Sequence, residues 1–201
     1  MSYTQEQIEQ VMSDKGYKFF KSGKYNVNII GVRDENITVN EFCDEMHVLY
    51  KDGEDKWQHH VYKITTVAGL TGLVNPVNSK GCAILVEGQY RGSHKIRKHK
   101  GKYDALCQQR PLKVYRDNDK DQEHDFDPDT VQEGYFGINI HRSNPRREST
   151  VVNNWSLGCQ VFANPHEFDE FMMICYKAMN HWGNNFTYTL LNERDFSDHS
   201  N

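Results

Sequence analysis

The 201-residue chain contains no apolar run of about eighteen residues, the length that a membrane-spanning helix requires. Its first thirty residues lack a charged start followed by an apolar stretch, so no signal peptide is expected. Cysteine is sparse and scattered. Cys43, Cys82, Cys107, Cys159 and Cys175 are odd in number and show no Cys-x-x-Cys spacing. That pattern argues against a disulfide framework or a zinc site and for synthesis in a reducing cytoplasm. No excess of positive charge is present, since the net charge is −4 and the pI about 6.2. A nucleic-acid partner is therefore not expected. Internal repeats and long linkers are also missing, and nothing in the chain speaks to oligomeric state. Mean hydropathy is low at −0.82, yet eleven Tyr, ten Phe and three Trp supply enough aromatic surface for a core and argue against disorder.

What is present reads as a β-rich single domain with two or three helices. Residues 1–25 form an N-terminal helix and connector, residues 26–195 the domain, and residues 196–201 a polar tail expected to fray. Thr4 and Gln7 make a capping-box pattern before Ile8, Val11 and Met12, which share one helical face, and Gly16 can end that helix. Strands are expected over Val27–Val32, and over Met46–Lys51 and Trp57–Ile64 on either side of the Asp52-Gly53 turn signal. Ala68–Lys80, rich in Gly and Asn, reads as loop, and Cys82–Val86 and Leu112–Tyr115 as further strands. His94–Lys102 carries five Lys and Arg residues; it reads either as an anionic contact, to wall polymer or substrate carboxylates, or as a solvated edge strand or loop, the second being the leading expectation. Asn164-Pro165-His166-Glu167 opens a helix whose Phe168, Phe171, Met172, Cys175, Tyr176 and Met179 repeat at three and four. A last strand spans Phe186–Leu191.

One stretch carries chemistry. The apolar run Tyr135–Ile140 reads as a buried strand that delivers His141 at its end. Cys159–Ala163 reads as another strand, preceded by the turn Ser156-Leu157-Gly158, and a polar loop joins the two. A cysteine nucleophile needs a base that takes its proton and donors for the oxyanion formed when it attacks a carbonyl. His141 is the candidate base. Gly158 allows the close backbone approach that such donors require. A histidine partner and a glycine turn are also the setting that lowers a thiol pKa, so Cys159 is expected to be the most reactive of the five thiols.

His141, fourteen intervening residues and then Ser156-x-Gly158-Cys159 resemble the active-site signature of the L,D-transpeptidase (YkuD-type) catalytic domain, including its bacteriophage-type members. The resemblance implies an L,D-transpeptidase-like mixed β-sandwich with an N-terminal helix and a helix after the catalytic strand. It implies Cys159 as nucleophile, His141 as base, the Arg142 carbonyl as the group that orients the imidazole, and backbone donors around Gly158 and Cys159. It also suggests that Tyr90 and Arg91, on a Gly-rich strand, lie near the substrate cleft, with Trp155 beside the turn. Two positions depart from the family pattern. Leu157 stands where a histidine is usual, and Val161 where an Arg or Asn is usual, at positions that shape the substrate site.

The substrate implied is a bacterial peptidoglycan stem peptide, and no cofactor is required. Transpeptidation and hydrolysis share the same acylation half. A wall enzyme made in the cytoplasm without a signal fits a phage lysis protein or virion-borne lysin, which favours an L,D-carboxypeptidase or endopeptidase. A non-catalytic wall- or glycan-binding module on the same fold, or an unrelated cytoplasmic cysteine hydrolase of small peptides, are the competing classes. Separately, Asp117, Asp119, Asp121 and Asp125 alternate as calcium ligands do. Gln122 stands where such a loop needs glycine and Pro128 where it needs a bidentate Glu, so an acidic surface loop is the leading expectation over a Ca2+ site.

Overall fold

The computed structural model describes residues 3–199. Helix α1 (Gln5–Asp14) begins at the Thr4 cap, whose hydroxyl accepts the Gln7 N–H at 3.3 Å while the Gln7 side chain accepts the Thr4 N–H at 2.9 Å. Its Ile8, Val11 and Met12 are buried against Ile30, Val32, Leu49, Leu191 and Phe196. Each such side chain contributes roughly 1.5–3 kcal/mol on leaving water. The helix is therefore a packing element laid on the outside of the strands.

Strands β1 (Asn28–Arg33), β2 (Asp44–Lys51) and β3 (Trp57–Thr65) form an antiparallel meander. After the short helix α2 (Leu70–Val74) come β4 (Cys82–Leu85), β5 (Gly88–His99), β6 (Tyr103–Gln108), β7 (Leu112–Asp117) and β8 (Gln132–Gly134). Then follow β9 (Ile140–Arg142), β10 (Gln160–Phe162), helix α3 (Pro165–Trp182) and β11 (Phe186–Asn192). Eight strands close into a barrel in the order β1-β11-β5-β6-β9-β10-β3-β2, and β4-β7-β8 form a separate three-stranded sheet. Two pairings are parallel, β1 with β11 and β9 with β10. The fold is mainly β with a few helices, and its strands close on themselves where a sandwich was expected.

Alternation along the barrel strands separates two faces. Ile29, Met46, Val48, Tyr62, Ile64, Ile140, Phe162, Tyr188 and Leu190 belong to the largest buried cluster, and Phe168, Phe171, Met172 and Cys175 of α3 pack into it. Gly31 is dictated by this packing, because a Cβ there would meet the Tyr188 hydroxyl at 2.1 Å. Arg33, fully buried, ties the barrel to the small sheet. Its guanidinium pairs with Glu87 at 2.9 Å and donates to the Leu85 carbonyl at 2.9 Å and the Thr66 hydroxyl at 2.9 Å.

Three expectations change and one holds. Ala68–Lys80 holds the short α2, where Gly72 lets the backbone pack beside Ala68 and Leu157. The basic stretch is an edge: β11 pairs with β5 only as far as His94, and from Lys95 to His99 the strand pairs with β6 alone, a strand that was not anticipated. Residues 135–139 are not a strand, and β9 begins only at Ile140. The Phe136, Gly137 and Ile138 N–H groups all donate to Gln108 Oε1, at 3.0, 2.8 and 3.1 Å, so one side chain replaces a neighbouring strand. The tail is docked as far as Phe196, which is 4% exposed and stacks on Tyr3, whereas positions 200 and 201 lie outside the described residues. Among the described residues no helix is long and apolar enough to cross a membrane.

Candidate active site

The parallel β9–β10 pair sets the geometry. Gln160 lies opposite Ile140 and Val161 opposite His141, so Cys159 falls beside Asn139. Ile140, Gln160 and Phe162 point into the barrel, where Gln160 accepts the Tyr188 hydroxyl at 2.8 Å. By the two-residue period, Asn139, His141 and Cys159 point outward together. They open into one cavity of about 410 Å³, walled by His99, Lys100, Trp155 and Leu157 among others.

His141 is 5% exposed and fixed from one side. Its Nδ1 lies 2.8 Å from the Arg142 carbonyl, which only accepts, so Nδ1 carries the hydrogen and Nε2 is the basic nitrogen. The Tyr103 hydroxyl donates to the same carbonyl at 3.3 Å, and the Arg142 guanidinium lies over the Tyr103 ring at 4.2 Å. His99 stacks on His141 with ring centroids 4.2 Å apart, and the Asn139 amide donates to His99 Nδ1 at 3.2 Å. Burial, followed by the neighbouring His99, pushes the His141 pKa down to about 3. The imidazole is neutral at any ordinary pH.

Cys159 is partly exposed. Its thiol donates to the Gly137 carbonyl at 3.3 Å and accepts the Asn139 N–H at 3.5 Å. It makes no hydrogen bond to His141. Burial pushes the thiol up to about 11, with the Asn139 N–H and Lys100 acting in the opposite direction. The expected lowering is thus reversed, because desolvation of a thiolate outweighs one N–H and one nearby cation. Cys43 and Cys82 are pushed higher still, to about 12, and Cys107 and Cys175 are raised as well.

Ser156 is fully buried and does not reach the cavity. Its hydroxyl donates to the Cys159 carbonyl at 2.8 Å and accepts the Gly158 N–H at 3.1 Å, so it shapes the turn. Gly158 sits at φ +120°, where a Cβ would strike the Ala83 carbonyl at 2.0 Å, and only glycine fits. The Gly158 N–H is already engaged, whereas no acceptor holds the Cys159 N–H among the described residues, which leaves it as a donor at the turn. Tyr90 and Arg91 are elsewhere. They lie at the end of β5 that pairs with β11, where the Tyr90 hydroxyl donates to the Val86 carbonyl at 2.6 Å and Arg91 covers Phe20 at 5.2 Å. Sequence reasoning passed over His99, Tyr103 and Asn139. Asn139 was detectable, two residues before His141 and hence on its face; His99 and Tyr103 come from a hairpin that leaves no local motif.

In the acidic segment, carboxylate oxygens of Asp117, Asp119 and Asp125 lie within 4.8 Å of one another, and Asp121 is not among them. Burial, then the neighbouring carboxylates, pushes Asp117 up to about 6. These three are the residues that could hold a cation.

Comparison with protein-family models, with curated proteins and with solved structures finds no match to this chain.

Proposed function

We propose that this chain is a cysteine-dependent acyl-transfer enzyme of the L,D-transpeptidase type, acting on bacterial peptidoglycan stem peptides with water as the acyl acceptor. One observation supports this most: Cys159 and His141 open into the same cavity, with the imidazole held at Nδ1 by the Arg142 carbonyl and Nε2 without a partner among the described residues. A space of about 410 Å³ over Cys159 has room for a short peptide segment.

The neutral thiol and neutral imidazole make the first step a general-base reaction rather than attack by a preformed thiolate. The thiol leaves the Gly137 carbonyl and turns to His141. As sulfur bonds to the substrate carbonyl carbon, its proton passes to Nε2, and the Cys159 N–H faces the oxyanion. Collapse breaks the C–N bond, and the departing amine takes the proton from Nε2. Water then adds to the thioester while His141 accepts its proton; the C–S bond breaks and the thiol is restored.

A second reading, a wall- or glycan-binding module that does no chemistry, draws on the thiol's bond to Gly137 and its raised pKa. Incubating the protein with purified peptidoglycan and analysing soluble products by mass spectrometry separates the two. Fragments that vanish with Cys159→Ala, by roughly 10³-fold or more, support the enzyme. Binding without fragments supports the module, and neither result leaves a hydrolase of small peptides.

A further inference from the structure

The protein carries a net charge of −4, yet the cavity over Cys159 is lined by Lys100 and Arg116 and, among the described residues, by no Asp or Glu. A second cavity of about 430 Å³ adjoins it, sharing His99, Lys100, Tyr135, Gly137 and Asn139 and adding Arg97 and Lys98, again with no acid. Three of these four cations already have partners. Lys98 pairs with Asp104 at 3.0 Å, Arg97 donates to the Gln108 carbonyl at 2.8 Å, and Arg116 donates to the Gly81 carbonyl and lies over Phe136. Lys100 has no ion-pair or hydrogen-bond partner among the described residues, and it borders both spaces.

Its backbone is equally telling. The turn closed by the Lys102 N–H donating to the His99 carbonyl at 2.9 Å places Lys100 at φ +49° and Gly101 at φ +72°. Asn, Asp or Gly adopt that left-handed region with less strain than a long side chain. A residue held in this backbone region, lining two cavities and with no partner for its charge among the described residues, points to a use for that charge.

We propose that Lys100 is a specificity-determining residue, its ammonium holding a carboxylate of a substrate that runs from the cavity over Cys159 into the adjoining one. Anionic ligands are thereby favoured over neutral ones of the same size at this thiol. Low-dielectric walls lined by one sign of charge focus the field and raise the local concentration of the opposite ion. Lys100 also acts on His99, His141 and Cys159 electrostatically, as a charge close to all three would. This inference rests on Cys159 being the reacting thiol of the proposed acyl transfer, and it names a free carboxylate as the feature of the peptide that is read.

The test compares two alkylating agents of nearly equal size, iodoacetate and iodoacetamide, on the full chain, with the label located by peptide mapping. In both reactions the Cys159 sulfur bonds to the methylene carbon and iodide leaves, so the ratio of the two rates cancels any change in thiol ionisation. Lys100→Asn should lower the iodoacetate-to-iodoacetamide ratio at Cys159 by roughly 3–10-fold at low salt, and Lys100→Arg should keep it. Added salt should shrink the wild-type preference. The melting temperature of Lys100→Asn should stay at or above that of the wild type, since Asn suits the turn, which separates loss of charge from loss of fold. Lys177→Gln, which removes the same charge on α3 beside Tyr25, should leave the ratio unchanged. An unchanged ratio in Lys100→Asn, or an equal fall in Lys177→Gln, overturns the proposal. Because alkylation needs no wall substrate, absence of peptidoglycan fragments would sink the proposed activity without touching this result.

Discussion

The Cys159 cavity and the acidic segment from Asp117 to Asp125 both gather side chains capable of chemistry, and they do so in opposite ways. The cavity draws on residues far apart in the chain: His99 and Lys100 from the β5–β6 turn, Asn139 and His141 beside β9, Trp155, Leu157 and Cys159 from the loop before β10. The acidic segment draws on one loop, and its carboxylates serve that loop. Asp119 accepts the Asp121 N–H at 3.2 Å, Asp121 the Glu123 N–H at 2.7 Å, and Asp117 the Asp125 N–H at 3.2 Å. Closely spaced Asp residues commonly satisfy their own backbone in this way. Convergence from distant segments costs more chain entropy to assemble and is the stronger sign of use.

The contrast is sharpest at His141. His141→Ala should slow both fragment release and Cys159 alkylation, by roughly 10²–10⁴-fold for the former. It should also lower stability, because the ring is nearly fully buried, bonded to the Arg142 carbonyl and stacked on His99. The pH dependence follows from the two shifts. With His141 at about 3 and the thiol at about 11, wild-type alkylation should climb steadily from pH 6 to 10, with no plateau near neutrality. An early plateau would mean a thiolate–imidazolium pair and a different mechanism. For stability, the folded-state pKa of His141 lies below its unfolded value near 6.5, so the unfolded chain binds the extra proton. That contribution is complete above about pH 6.5 and is lost as pH falls toward 3, which acid melts of wild type and His141→Ala can compare.

Gln108 and Asp121 test the same contrast on the scaffold. Gln108→Leu leaves the Phe136, Gly137 and Ile138 N–H groups without their shared acceptor. Only the Ile138 donor is fully buried, and an unsatisfied buried donor costs about 1–3 kcal/mol, so the loss should be on the order of 2 kcal/mol and should loosen the wall beside Cys159. Asp121→Ala, at an exposed turn, should cost less than about 0.5 kcal/mol. Equal losses in denaturant melts would show that the acidic segment is as integral to the fold as the cavity wall.

Much of this was legible along the chain, and the rest was not, for physical reasons. The capping box at Thr4, the Asn164-Pro165 helix start and the apolar strands are local signals, and local signals survive in sequence. The placement of His141 and Cys159 side by side was readable because a single polar loop joins the strands that carry or follow them. Gln108 serving as a strand partner for residues 136–138 was hidden, since hydropathy alone makes Tyr135–Ile140 look like a strand. Lys100 was read with its neighbours as a solvated stretch in preference to an anionic contact, because only the folded chain shows that the β5–β6 turn ends at the cavity. The thiol pKa was misjudged for the same reason. A glycine turn and a histidine are visible in sequence, but the desolvation that outweighs them is a property of the packed fold.

The smallest expected effect belongs to calcium. Three carboxylates within 4.8 Å and an Asp117 pushed up to about 6 describe a spot that a cation would relieve. A calcium ion, however, takes six to eight oxygens, and this cluster brings three side chains, two of them exposed and Asp121 turned to its own loop. Oxygens already accepting N–H groups would have to give up those bonds or share them. Millimolar CaCl2 against chelator should therefore move the melting temperature by less than about 1 °C, because a ligand stabilises the folded state only as far as it exceeds its dissociation constant. A rise of several degrees that chelator reverses and Asp117→Asn removes would establish a calcium site. The acidic segment would then stand beside the cavity as a second place built for a ligand.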